Sequence, residues 1–102
     1  MPIHSVDAKT LKHWIDAGDA VLVDVREPSE HQAQNIPCAT LIPLATITRN
    51  KLPAFQGKKL VIHCKAGGRS LSACQKLLKE DPSLELYNLD GGIGAWSQVC
   101  GR

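Results

Sequence analysis

Two uninterrupted apolar runs constrain the fold of this chain more strongly than any other sequence feature. The runs are AVLVDV at residues 20–25 and KLVIHC at residues 59–64. Because neither run alternates polar and apolar residues, each predicts a strand that is buried on both of its faces. Helical segments separate these runs along the chain, so the sequence predicts an α/β fold in which helices cover both faces of a parallel sheet.

Shorter signals predict the remaining elements. Asp7 is a suitable N-cap for a first helix, Gly18 is a suitable stop, and Pro82 marks the end of the long helix after the second run. The predicted helices cover residues 7–15, 28–34, 44–51, 70–80 and 93–99, and two further strands cover residues 39–42 and 84–89. The apolar face of the long helix is predicted to consist of Leu71, Cys74, Leu77 and Leu78.

The length and charge of the chain limit its organisation and its partners. The 102 residues suffice for one compact domain, which we predict to cover residues 1–102. A formal net charge of +2 is too small to indicate binding to nucleic acid or to an anionic membrane. No segment has the ~18 apolar residues of a membrane span, and no signal peptide is evident at the start. We therefore expect a cytoplasmic protein, although a piece of a longer membrane-anchored protein would have the same sequence features.

The spacing of the cysteines is unlike that of a zinc site or a disulfide framework. None forms a C-x-x-C pair, so we expect no metal, and disulfides are rare in cytosolic proteins. Cys74 falls on the apolar face of a helix and is expected in the core. Whether Cys38 or Cys100 takes part in redox chemistry is left open.

Cys64 differs from the other cysteines because it lies where a buried strand meets the start of a helix. The positive end of that helix favours a thiolate, and Lys65 and Arg69 add positive charge nearby. Small residues at 66–68 allow backbone N–H groups to turn toward the sulfur and to hold an anion against it. The segment therefore predicts an activated, nucleophilic thiol.

The spacing between cysteine and arginine indicates what this loop can enclose. Four residues lie between Cys64 and Arg69, whereas phosphatases that use a cysteine need one residue more to surround a phosphate. The tighter ring suits one additional sulfur atom on the thiol better than a whole phosphate group. A phosphatase or an arsenate reductase is accordingly a weaker alternative.

Three motifs, in order along the chain, resemble those of the rhodanese sulfurtransferases. The segment CKAGGR resembles the family's active-site loop, VLVDVREPSEHQAQNIPCATLIPL resembles its D-[VI]-R to H-I-P-G-A region, and LDGGIGAW resembles its G-G-x-x-x-W motif. The resemblance covers nearly the whole chain and is greatest for single-domain bacterial members. Asn35 and Cys38 depart from the family pattern, which usually has histidine and glycine at these positions.

The resemblance implies a five-stranded parallel sheet and a two-step sulfur transfer. The Cys64 thiolate would take the outer sulfur of thiosulfate or a persulfide, and the resulting persulfide would pass that sulfur to cyanide or a thiol. No cofactor is implied, and the partners are small donors and acceptors or a sulfur-relay protein. The implied substrate-binding residues are Lys65, Ala66, Gly67, Gly68, Arg69 and Ser70. A non-catalytic module that carries sulfur or docks a partner is the alternative.

Several neighbouring residues have competing interpretations. Asp24 and Arg26 are predicted to form a supporting ion pair, and Arg69 either pairs with Asp24 or Glu27 or contacts the substrate. Lys65 either contacts the substrate or faces solvent, and Ser70 is predicted to be an N-cap. His63 should point to the sheet face opposite Cys64 and pack in the interior, because consecutive strand residues face opposite sides.

Overall fold

A computed structural model of the chain describes residues 3–100 and contains one sheet of five parallel strands in the order β1-β5-β4-β2-β3. The strands are β1 (Ile3–Val6), β2 (Ala20–Asp24), β3 (Thr40–Leu41), β4 (Lys59–His63) and β5 (Leu86–Leu89). The helices are α1 (Ala8–Asp16), α2 (Pro28–Ala33), α3 (Gly68–Glu80) and α4 (Gly92–Cys100). The predicted α/β fold with a five-stranded parallel sheet is confirmed.

The central strand β4 places the cysteine loop at the carboxyl edge of the sheet. This strand pairs with β2 on one side, where Asp24 lies opposite His63, and with β5 on the other. Because all the strands are parallel, the residues that follow β2, β4 and β5 meet at the same edge. Cys64 follows β4 directly and therefore lies between the ends of two neighbouring strands.

Helices cover the sheet on both sides, and each side has its own apolar core. One core contains Cys74 and Leu77 of α3 against Ile62 of β4. The other contains Leu11 of α1 and Trp96 of α4, which pack with residues on the opposite face of the same strands. The continuous apolar runs are explained by this arrangement, because the inner strands contribute residues to both cores.

Two elements of the structure differ from the sequence prediction. Strand β1 was not predicted, because IHSV is short, mixed in polarity and pairs only with β5 at the sheet edge. The helix predicted at 44–51 is only a 3-10 turn at Arg49–Lys51, since a run containing Thr46, Ile47 and Thr48 disfavours helix. The buried Ile47 instead anchors this irregular segment to the core.

The buried face of helix α3 also differs from the apolar face that the sequence predicts. Its buried residues are Ser70, Ala73, Cys74 and Leu77, whereas Leu71 is 40% exposed. The buried set follows helical spacing from Ser70, and Leu71 lies about 100° around the helix from that residue. Ser70 is buried because its side chain turns toward the cysteine loop rather than toward solvent.

Membrane-spanning helices and metal-binding side-chain groups are both absent from the part of the chain that the structure describes. Within residues 3–100, no helix has the length and apolarity that crossing a membrane requires. In the same residues, no group of three or more His, Cys, Asp or Glu side chains is placed to hold a metal ion.

Candidate active site

The cysteine loop curls so that backbone amides approach the sulfur. Gly67 has a φ of +118°, a conformation that side-chain-bearing residues rarely adopt, and α3 begins at the next residue. The N–H of Gly67 consequently donates a hydrogen bond to Cys64 Sγ over 3.0 Å. The cysteine is only 1% exposed, so the sulfur is held inside the loop.

Hydrogen bonds to the sulfur outweigh the effect of burial on its acidity. Burial raises the pKa of the Cys64 thiol, whereas the hydroxyl and the backbone N–H of Ser70 lower it. The backbone N–H groups of Gly67 and Ala66 lower this pKa further, and the net result is a pKa below the ordinary value of a thiol. A larger fraction of Cys64 is therefore nucleophilic thiolate at neutral pH than for an ordinary cysteine.

Ser70 is part of the site and is not the N-cap of α3. The cap is Gly67, so the helix starts two residues earlier than the sequence predicts. Ser70 Oγ lies 3.4 Å from Cys64 Sγ, 3.1 Å from the carbonyl oxygen of Gly67 and 2.5 Å from Asn88 Oδ1. Because a hydroxyl has a single proton to donate, these three acceptors compete for it.

Asn88 is a site residue that the sequence does not reveal. Its Nδ2 donates to the carbonyl oxygen of Gly67 over 3.2 Å, which directs Oδ1 toward the hydroxyl of Ser70. The amide thus holds both the loop carbonyl and the serine beside the thiol. The only sequence signal is a polar residue near the end of an apolar strand, at the edge where ligands bind in such folds.

Arg69 pairs with Glu30, so both partners expected from the sequence are wrong. Its Nη1 and Nη2 donate to the two carboxylate oxygens of Glu30 over 2.7 Å and 2.9 Å. Glu27 is the N-cap residue of α2, where its backbone N–H donates to Glu30, and Asp24 already accepts hydrogen bonds from other donors. This pairing lowers the pKa of Glu30 to about 2, chiefly through the hydrogen bonds from Arg69.

The predicted ion pair between Asp24 and Arg26 is present and buried. Arg26 Nε and Nη2 donate to the carboxylate over 2.9 Å and 2.8 Å, and Nη2 also donates to the carbonyl oxygen of Gln34. His31 Nδ1 lies 2.9 Å from Asp24 Oδ2. Burial alone would raise the pKa of Asp24, but hydrogen bonds from Arg26 and His31 lower it to about 2. The pair fastens β2 to α2, the helix that carries Glu30.

His63 is packed in the interior, as predicted, and does not reach the sulfur. Its Nδ1 donates to the carbonyl oxygen of Cys64 over 3.2 Å, and its Nε2 is 3.9 Å from Asp24 Oδ2. Burial lowers the pKa of His63 and favours the neutral ring. The structure therefore gives His63 no geometry for acting as a base toward the thiol.

The remaining loop residues form the rim of the site. The side chains of Lys65 and Ala66 are exposed, as is the Gly68 backbone. The carbonyl oxygens of Cys64 and Lys65 accept hydrogen bonds from the N–H groups of Ile93 and Gly94 over 2.9 Å and 3.3 Å. The first turn of α4 thus supports the loop from behind.

The match to a family model decides what kind of domain carries this loop. The model of the rhodanese-like domain matches residues 7–99. The chain belongs to the rhodanese-like family. This membership confirms the resemblance drawn from the three motifs.

Relatives of this rhodanese-like chain differ in length. It is 35% identical over 96 residues to an uncharacterized Synechocystis protein, covering 93% of the chain and 52% of that protein. It is 33% identical over 97 residues to an Allochromatium vinosum sulfurtransferase, covering 94% of the chain and 90% of the relative. It is 35% identical over 99 residues to the probable adenylyltransferase/sulfurtransferase MoeZ of Mycobacterium tuberculosis, covering 92% of the chain and 24% of MoeZ.

Solved structures agree with the fold. The human single-domain sulfurtransferase TSTD1 superposes with a TM-score of 0.76 at 25% sequence identity. The superposition covers 92% of this chain and 95% of the human protein. Similarity over nearly the full length of both chains agrees with the rhodanese-like fold.

The support of the rhodanese loop by α4 can be tested at two glycines. A Cβ at Gly92, where φ is +58°, would lie 2.4 Å from the carbonyl oxygen of Lys65, whereas a Cβ at Gly94 would lie 3.7 Å from the same atom. We expect Gly92→Ala to displace the loop, to lower the stability by about 1–3 kcal/mol and to slow alkylation of Cys64. Gly94→Ala, the matched control, should be neutral or slightly stabilising in chemical denaturation. Equal behaviour of the two variants would contradict this role of α4.

The other thiols of the rhodanese-like domain lie in the core or in a groove outside the loop. Cys74 is fully buried, and burial raises its pKa to about 12. Cys38 and Cys100 line an apolar groove of about 240 Å³ between α1 and α4, and no residue of the 64–70 loop lines this groove. The prediction that Cys74 is a core residue is confirmed.

Proposed function

We propose that this protein is a sulfurtransferase that carries sulfane sulfur as a persulfide on Cys64. The observation that carries the proposal is the environment of the sulfur, in which Gly67 N–H lies 3.0 Å from Sγ and the thiol pKa is lowered despite burial. Donor hydrogen bonds directed at one sulfur stabilise a thiolate and, after transfer, the negative charge of a persulfide. The Allochromatium relative is also named a sulfurtransferase.

The first step transfers sulfur to the enzyme. The Cys64 thiolate attacks the outer sulfur of thiosulfate, a new S–S bond forms, and the old S–S bond breaks as sulfite leaves with the bonding electron pair. With a persulfide donor the leaving group is the donor's thiolate. In either case the outer sulfur becomes the end of a Cys64 persulfide without any net oxidation or reduction.

The second step transfers the outer sulfur to an acceptor and regenerates the Cys64 thiolate. A nucleophile such as cyanide or a thiol attacks the outer sulfur, and Cys64 leaves with the electron pair of the S–S bond. Thiocyanate or a new persulfide is the product, so ping-pong kinetics are expected. The hydroxyl of Ser70 is 3.4 Å from Sγ and can donate to the sulfur whenever it carries the charge.

A mass measurement tests this function directly. After incubation with thiosulfate, glutathione persulfide or polysulfide, the intact protein should gain one sulfur atom on Cys64, and cyanide should remove that atom as thiocyanate. Failure to take up sulfur from all three donors would refute the proposed function. A stable protein partner recovered without any persulfide would instead favour a docking module.

Two further aspects of the function belong to the same proposal. MoeZ is named as both an adenylyltransferase and a sulfurtransferase, which supports a sulfur-relay protein as a class of acceptor for this domain. Phosphatase activity is disfavoured because four residues separate Cys64 from Arg69. Hydrolysis of an aryl phosphate well above background would revive that alternative.

A further inference from the structure

Glu30 neutralises the arginine of the loop. Both carboxylate oxygens of Glu30 accept hydrogen bonds from the two terminal nitrogens of Arg69, at 2.7 Å and 2.9 Å. One of these oxygens also accepts from the backbone N–H of Glu27 over 3.0 Å, as part of the capping box of α2. The carboxylate is therefore fixed by its own helix as well as by the arginine.

Lys65 is the one cation of the loop that has no carboxylate partner among the described residues. Asp24 and Arg26 cancel each other and are buried beside β4. Among residues 3–100, no carboxylate lies within ion-pair distance of Lys65, whose side chain is exposed on the rim. A donor that approaches Cys64 thus meets one unpaired positive charge and not two.

The two donor classes differ in how much they depend on positive charge. Thiosulfate is a dianion, and its sulfonate part must also leave as an anion. A small-molecule persulfide presents at most one negative charge on the sulfur that is transferred. The attraction between two charges rises with the product of the charges. When a carboxylate neutralises the arginine, the loop therefore loses more of its attraction for the dianion than for the persulfide.

We propose that Glu30 is a specificity-determining residue that shifts the preference of the loop from dianionic thiosulfate toward persulfide donors. This inference rests on the proposed sulfur transfer at Cys64. Glu30 touches Arg69 and acts through it, so it is a positioning residue for the cation. The preferred donor class is a low-molecular-weight or protein-bound persulfide.

The variant Glu30→Gln tests the inference because glutamine removes the charge and retains the capping geometry at this position. We expect the second-order rate of sulfur loading from thiosulfate to rise about three- to tenfold, while loading from glutathione persulfide changes less than about twofold. The gain should disappear in about 0.5 M salt, which screens exposed charges. Intact-mass spectra recorded over time measure both rates.

Glu27→Gln is the matched control. It removes the same charge from the start of the same helix, but Glu27 does not contact Arg69, which is bound to Glu30. This variant should keep the donor ratio of the wild type. Thermal unfolding of both variants shows whether the fold is retained.

The outcomes separate this inference from the proposed function. If Glu30→Gln slows loading from both donors alike, or leaves their ratio unchanged, the inference is overturned while sulfur transfer stands. If the wild type takes up sulfur from neither donor, the proposed function fails and the inference fails with it. Salt gives a second measurement, because thiosulfate loading should fall more steeply with salt in Glu30→Gln than in the wild type, and an equal salt dependence of the two proteins would overturn the role of Glu30.

Discussion

Replacing Cys64 by serine should reduce sulfur uptake and thiocyanate formation at least about 10³-fold, because a neutral hydroxyl at this site cannot form a persulfide. Serine can still accept the hydrogen bond that Gly67 N–H donates to Sγ, so the loop should retain its shape. The expected result is a folded protein with no mass gain after treatment with thiosulfate or glutathione persulfide. Intact-mass spectrometry and a thiocyanate assay measure the two losses.

Cys38→Ser is the matched control for this experiment. Cys38 is an exposed thiol in the groove between α1 and α4, and the loop does not line that groove. The control should keep sulfur uptake at the level of the wild type. Persistent uptake by Cys64→Ser would assign the nucleophile to another thiol, and a loss in the control would bring Cys38 into the reaction.

The largest expected loss of stability follows from replacing Asp24 by asparagine. Arg26 is 3% exposed and directs two side-chain nitrogens at the carboxylate, so the change leaves a buried guanidinium without its counter-charge. Breaking one partner of a buried pair costs about 3–5 kcal/mol. We expect a loss of this size in the free energy of unfolding measured with urea at neutral pH.

Asp16→Asn provides the comparison for Asp24. Asp16 pairs with Lys12 on the surface of α1, where both side chains are about half exposed. Surface pairs contribute about 1 kcal/mol or less, so this control should lie close to the wild type. If both asparagine variants have the same stability, the buried pair does not support the fold as argued.

The pH dependence of the wild type should report the same carboxylate. Asp24 has a pKa of about 2 in the folded protein, below its ordinary value of 3.8. A group with a lowered folded pKa stabilises the protein above the unfolded pKa, and its contribution is lost as pH falls through the folded value. About 2 kcal/mol should therefore disappear between about pH 4 and pH 2, and Asp24→Asn should lack this part of the acid transition.

The sequence predicts those parts of the fold and site that depend on local pattern. The position of Cys64 follows from the end of one apolar run, and the α/β class follows from helices between such runs. Strand β1 was not predicted because an edge strand of four residues is too short to show a clear hydrophobic pattern. The helix predicted at 44–51 was wrong although the β-branched residues at 46–48 are a local signal against helix, and the packing of Ile47 into the core was the part that local pattern could not show.

The partners of the loop could not be predicted, because they are distant in sequence. Glu30 and Arg69 are 39 residues apart, and Ser70 and Asn88 are 18 residues apart. No local spacing rule connects such pairs, and they meet only because β2, β4 and β5 end at one edge of the sheet. A carboxylate partner was one of the two roles expected for Arg69, the other being contact with the substrate, and no local signal singles out Glu30 among the three nearby acids.

The hydrogen bonds from Ile93 and Gly94 to the carbonyl groups at 64 and 65 have a consequence for biosynthesis. A ribosome makes the nucleophile almost thirty residues before it makes the helix turn that shapes the surrounding loop. The carbonyl groups at 64 and 65 therefore lack these two hydrogen bonds until residues 93 and 94 have been made, so the loop reaches its final, α4-supported shape only late in synthesis.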